Sequence, residues 1–123
     1  MSYIEGFVIP VPTAKREEFI KVAAEADPIF IEHGALRVWE CWGDDVTHGK
    51  QTDFYRAVDA TEDESVVFSW IEWPDRATRD ANMEAVQKAM ATDPRFDWVA
   101  NPPPFDGKRM IFGGFTPVVT LGD

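Results

Sequence analysis

The segment ESVVFSWIEW, residues 64–73, is apolar in both phases of a strand: Val66, Phe68 and Trp70 fall on one side, Val67, Ile71 and Trp73 on the other. Successive side chains of a strand point to opposite faces, so this one needs cover on both. ALRVWECW at 35–42 behaves alike, with Leu36, Val38, Glu40 and Trp42 alternating with Ala35, Arg37, Trp39 and Cys41. Near the end of the chain Met110 and Phe112 oppose Ile111 and Phe115. An antiparallel sheet with helices on one face and water on the other alternates apolar with polar residues, and these strands do not. With 123 residues in one domain and no chain left over, the expected second cover is another copy of the same sheet. The pattern leaves open which phase faces the helices.

The remaining elements follow from local signals. YIEGFVIPV (3–11) reads as a first strand closed by Pro10 and Pro12, which cannot donate to a ladder. Thr13 offers a cap, and Phe19, Val22 or Ala23, Ala26, and Ile29 or Phe30 recur at helical spacing to about Glu32. Pro28 should kink or split that helix, and His33-Gly34 should end it. GDDVTHGKQTD reads as a turn or hairpin arm, which FYRAVDA extends as a short strand. Pro74 stops the 64–73 strand, and Asp75 caps a helix whose Ala77, Ala81, Ala85 and Ala89 form a stripe expected to face the sheet. A short helix over DPRFDWV, an extended NPPPF and a last strand in KRMIFGGFTPVV complete the chain. Strand, helix, strand, strand, helix, strand is the ferredoxin-like βαββαβ order: an α+β fold, a four-stranded antiparallel sheet with two main helices on one face, in a single domain over 1–123.

Charge narrows the partners. A formal charge of −10 and a pI near 4.5 disfavour a polyanion, since nucleic-acid affinity rests on clustered Lys and Arg. The basic residues are scattered, with Lys15-Arg16 and Lys108-Arg109 the adjacent pairs. FDGKRMIFGGF at 105–115 has the glycines and lysine of a phosphate loop, but Lys108 leads into the apolar Met110-Ile111-Phe112 instead of a Ser or Thr opening a helix. Asp106-Gly107 is instead a turn, and Gly113-Gly114 marks a bulge or a close approach. One cysteine and two histidines make neither a disulfide framework nor a Cys/His zinc site. The N-terminus lacks a basic leader region and no run of about 18 apolar residues occurs, so the chain is expected to be soluble and cytoplasmic, with no membrane partner.

GALRVWECW, TDFYRAV, VVFSWIEWP and FDGKRMIFGGF together resemble, in order and along nearly the whole chain, the bacterial family catalogued as domain of unknown function 1428. That family is similar to the dimeric α/β-barrel superfamily, in which two ferredoxin-like protomers pack sheet against sheet. The resemblance implies the same homodimer here. It implies no particular reaction, because a fold does not carry one.

Single residues favour plain roles. Cys41 has no cationic neighbour in sequence and reads as a small buried residue. Asp44 to His48 reads as a solvated loop, and no metal site is expected. The informative set is the charges within strands: Glu5, Arg37, Glu40, Glu72 and Arg109. Such charges either pair across strands or line a wet cavity. The second alternative gives a pocket walled by Trp42 and Trp70, with Glu40 or Glu72 as proton acceptor and Arg109 as anion anchor. Catalytic residues stay unassigned. Two functions follow: a homodimer that binds or converts a small aromatic or enolisable molecule without a cofactor, and a noncatalytic structural or interaction homodimer. RNA binding is the least supported.

Overall fold

The computed structural model describes residues 2–98 and 102–122. Strand β1 covers Tyr3–Pro12, β2 Arg37–Trp42, β3 Glu64–Trp73 and β4 Ile111–Phe115. They form one sheet in the order β2-β3-β1-β4, antiparallel at every pairing. Helices α1 (Arg16–Ala26) and α2 (Pro28–Glu32) join β1 to β2, one helical turn α3 (Phe54–Ala57) lies between β2 and β3, and α4 (Arg76–Thr92) follows β3. The fold is the expected ferredoxin-like α+β arrangement.

Several local expectations change. β1, however, ends at its prolines as expected: the strand runs through Pro10 to Pro12, pairing with β3 from Tyr3↔Trp73 to Pro12↔Glu64. Its pairing with β4 reaches only Val8, so beyond that residue one edge is free and accommodates residues without an N–H. Thr13 does not cap; its hydroxyl pairs with Ser65 at 2.8 Å, and a 3-10 turn over Thr13–Lys15 leads into α1. Pro28 does divide the helix. Gly34, at φ +104°, then turns the chain where His33 Nδ1 lies 2.9 Å from the Ile29 carbonyl oxygen.

FYRA is helical and not a strand. The Asp53 carboxylate accepts the Arg56 N–H at 2.7 Å and the Gly49 N–H at 3.1 Å, and this cap outweighs the β propensity of Phe and Tyr. Asp75 caps α4 through the Thr78 N–H at 2.7 Å, as expected. The alanine stripe does not face the sheet, because Ala77, Ala81 and Ala85 are exposed while Val86 is buried. Arg79 points inward instead, donating from Nη1 to Glu5 at 3.2 Å, and a carboxylate buried in the central strand requires such a partner.

Residues 94–96 form a 3-10 turn, and the expected helix end at Val99 and connector start at Asn101 lie outside the described residues. Asp106 makes the expected turn, its carboxylate accepting the Lys108 N–H at 3.0 Å. Gly113 and Gly114 stay in register with Gly6 and Glu5, so there is no bulge. They admit neighbouring rings: a Cβ on Gly114 would stand 2.8 Å from Tyr3 Cζ, and one on Gly113 3.6 Å from the Phe115 ring.

The register settles the faces. Tyr3, Glu5, Ile9, Val67, Ser69, Ile71 and Trp73 lie buried beneath the helices. The other face carries Trp39, Phe68, Ile111 and Phe115, exposed by 48, 47, 44 and 58%, and the Trp39 and Trp70 rings stack on it at 5.5 Å.

Candidate functional site

Pro28 breaks the helix after Ala26, and Asp27 stands at the break. It occupies the cap position of α2, yet its side chain caps nothing. It is turned towards β2, where its carboxyl hydrogen-bonds with that of Glu40. Glu40 lies opposite Ser69 in the β2–β3 register, on the helix-covered face, and the Ser69 hydroxyl donates to Glu40 Oε2 at 2.5 Å. Burial, reinforced by the hydrogen bond and the negative charge of Glu40, pushes the Asp27 carboxyl up to about 9. The pair therefore keeps a proton at neutral pH, held in the hydrogen bond between the two carboxyls.

This pair borders a chamber of about 290 Å³ between sheet and helices. Its other walls are almost wholly apolar, with Phe7 and Ile71 from the sheet, Phe19 and Phe30 from the helices, and Phe96, Trp98 and Phe105 from the segment after α4. That segment is pinned from outside. Arg95 makes parallel hydrogen bonds of 3.0 Å to both Glu32 oxygens and a 2.7 Å bond to Asp93, tying the 3-10 turn to α2. Inside, Phe105 packs edge-on against Phe19 and Trp98. Asp27, Glu40, Phe19 and Ala23 also line a shallower groove beside Trp42, so the carboxyl pair stands between the chamber and the outside.

A neutral acid hydrogen-bonded to a carboxylate inside an apolar chamber can give a proton at one oxygen and take one at another. Among the described residues lining the chamber, Asp27, Glu40 and Ser69 are the only polar side chains, and none is basic. No three His, Cys, Asp or Glu side chains among the described residues gather as metal ligands would, and no described helix is long and apolar enough to cross a membrane.

Residues 2–107 match the family described as Protein of unknown function (DUF1428). The chain belongs to the DUF1428 family. It is similar to the uncharacterized protein YbaA of Escherichia coli K12, with 52% identity over 119 residues covering 97% of this chain and 98% of that one. YbaA of Shigella flexneri stands at the same identity. In structure it is similar to a dimeric ferredoxin-like protein from an uncultured marine organism, with TM-score 0.61, 13% identity, and 98% and 100% of the two chains covered. An uncharacterized NIPSNAP domain protein from Burkholderia xenovorans gives TM-score 0.58 at 20% identity, covering 98% and 99%. At these identities the two structures bear on the fold alone.

In this DUF1428 protein the five side chains singled out from sequence do not converge. Glu40 lines the chamber and the groove, and Trp42 the groove, where Arg16 lies over its ring at 5.8 Å. Trp70 and Glu72 fall on the opposite face, Trp70 against Trp39, and Glu72 bridged to Arg37 at 3.0 Å and accepting from the Ser2 hydroxyl at 2.6 Å. Arg109 is held by both Glu64 oxygens at 2.7 Å, by Asp106 at 3.0 Å and by the Asp59 carbonyl at 2.8 Å, so its guanidinium is occupied by the protein itself. Four of the five charges that the sequence placed in strands thus meet an opposite charge, Glu5 with Arg79, Arg37 with Glu72, and Arg109, which lies just before β4, with Glu64. Glu40 differs, its partners being a hydroxyl and a second carboxyl. Asp27 went unseen in the sequence because Asp before Pro reads as an ordinary helix cap.

Proposed function

We propose that this DUF1428 protein is a homodimer joined through its open sheet faces, each protomer binding a small, mostly apolar organic molecule in its inner chamber and moving a proton on it. The observation that carries the reading is the Asp27–Glu40–Ser69 cluster at the wall of an otherwise apolar chamber. On an enolisable carbonyl compound, Glu40 takes the proton from the carbon beside the carbonyl as the Asp27 O–H gives its own to the carbonyl oxygen. The C–H bond breaks, the enol O–H forms, and the pair is left with its proton on Glu40. Passage of that proton across the hydrogen bond between the carboxyls restores the starting state. Pairing across the open faces is supported by the exposed Trp39, Phe68, Ile111 and Phe115, and by the likeness to a protein described as dimeric.

The test is a thermal-shift screen of aromatic and enolisable compounds. A ligand at a hundred times its dissociation constant adds about 2.7 kcal/mol, which at about 4 °C per kcal/mol raises the melting temperature by roughly 10 °C. The shifts should shrink in Glu40→Gln and in Asp27→Asn if the hits engage the pair. A screen without hits, together with a crystal structure showing the chamber filled by side chains, would leave the noncatalytic homodimer. Binding of structured RNA below micromolar at physiological salt would overturn both readings.

A further inference from the structure

The charge of the ligand can be read from the chamber wall, given the proposed site. We infer that the chamber selects an uncharged molecule carrying a hydrogen-bond-accepting oxygen, such as an aryl ketone or ester, and rejects carboxylate anions. The described wall holds no Lys, Arg or His. Arg109, the cation that the sequence offered for an anion, is closed off by Glu64, Asp106 and the Asp59 carbonyl. Arg95 and Arg79 are likewise engaged, by Glu32 with Asp93 and by Glu5. A carboxylate entering the chamber would lose its water, find no countercharge and face Glu40.

A cation is disfavoured for a different reason. Glu40 already accepts from Ser69 and from Asp27, so an ammonium group would shed its water into aromatic walls and compete for an oxygen that is already bonded. A neutral acceptor meets neither obstacle. The Asp27 O–H can turn from Glu40 to the ligand oxygen, and the ring fills the space between Phe19, Phe30 and Trp98.

Acetophenone, benzoate and benzylammonium form a matched set, and acetophenone labelled with ¹³C at the carbonyl reports the hydrogen bond directly. Binding is followed by saturation-transfer NMR and by the indole N–H signals, with Trp98 marking the chamber and Trp39 and Trp70 the open face. The expected result is acetophenone binding about tenfold or more tightly than either ion. The Trp98 signal should move, and the carbonyl carbon should shift downfield by an amount that shrinks in Asp27→Asn, since an amide donates more weakly than a carboxylic acid. Benzoate or benzylammonium binding as tightly at Trp98 would overturn the charge assignment and leave the chamber as the site. If none of the three perturbs Trp98 at millimolar concentration, the chamber is not a ligand site and both readings fall.

Discussion

Among the described residues, Asp27 differs from every other shifted carboxyl in that burial, and not a guanidinium or a backbone N–H, sets its protonation. Its folded value, about 9, lies above the ordinary 3.8, so the folded state holds the proton more tightly than the unfolded chain. The stability this contributes is complete below about pH 4 and is lost as pH rises towards 9. Asp27→Asn keeps a donor for Glu40 without titrating, so its melting temperature should exceed that of the wild type by several degrees at pH 8 and converge with it at acid pH. Parallel pH profiles for the two proteins would refute the assignment. Gly114 makes a separate case. Gly114→Ala drives a methyl group into the Tyr3 ring, which is buried under Arg79, and should cost about 1–3 kcal/mol, whereas Gly107→Ala meets nothing within 4 Å and should melt close to the wild type. The sequence marked Glu40 as a charge within an apolar strand. It hid Asp27 because the partner that unmakes the cap stands thirteen residues away on another element.

Among the elements, β3 and the break at Pro28 were legible because each is written in adjacent residues, a two-phase apolar run and a proline. The turn α3 and the inward face of α4 were not. The first depends on the Asp53 cap competing with strand propensity, and the second on Glu5, seventy-four residues upstream, drawing Arg79 inward. Arg109 also joins elements, linking the approach to β4 with the start of β3 at Glu64 and with the loop after α3 at Asp59. The Glu64 carboxyl is held down to about 2, chiefly by its hydrogen bond to Arg109. Its folded value lies below the ordinary 4.5, so its stabilisation is present above that pH and is lost as pH falls towards 2. Arg109→Ala should flatten the acid limb of the stability profile in that window and speed hydrogen exchange of the Ile111–Phe115 amides. Unchanged exchange in β4 would mean that the strand is held by its pairing with β1 alone.

For the molecule as a whole, the ferredoxin-like order and the need for cover on both sheet faces were visible in the strand phases, but the phases could not be assigned to faces until the register was known. With Phe68 and Trp39 now placed on the open side, the proposed dimer should bury at least about 1,600 Å² in total and scatter light as two chains at micromolar concentration. Phe68→Asp should yield monomer or aggregate, and a wild-type monomer under the same conditions would remove the dimer. A sheet whose outer side is this apolar also ties folding to mass action. If two chains complete one another, the melting temperature climbs with protein concentration, and a modest fall in expression costs folded protein more than proportionately. The abundance of the chain would then act as a control on whether its chambers exist at all.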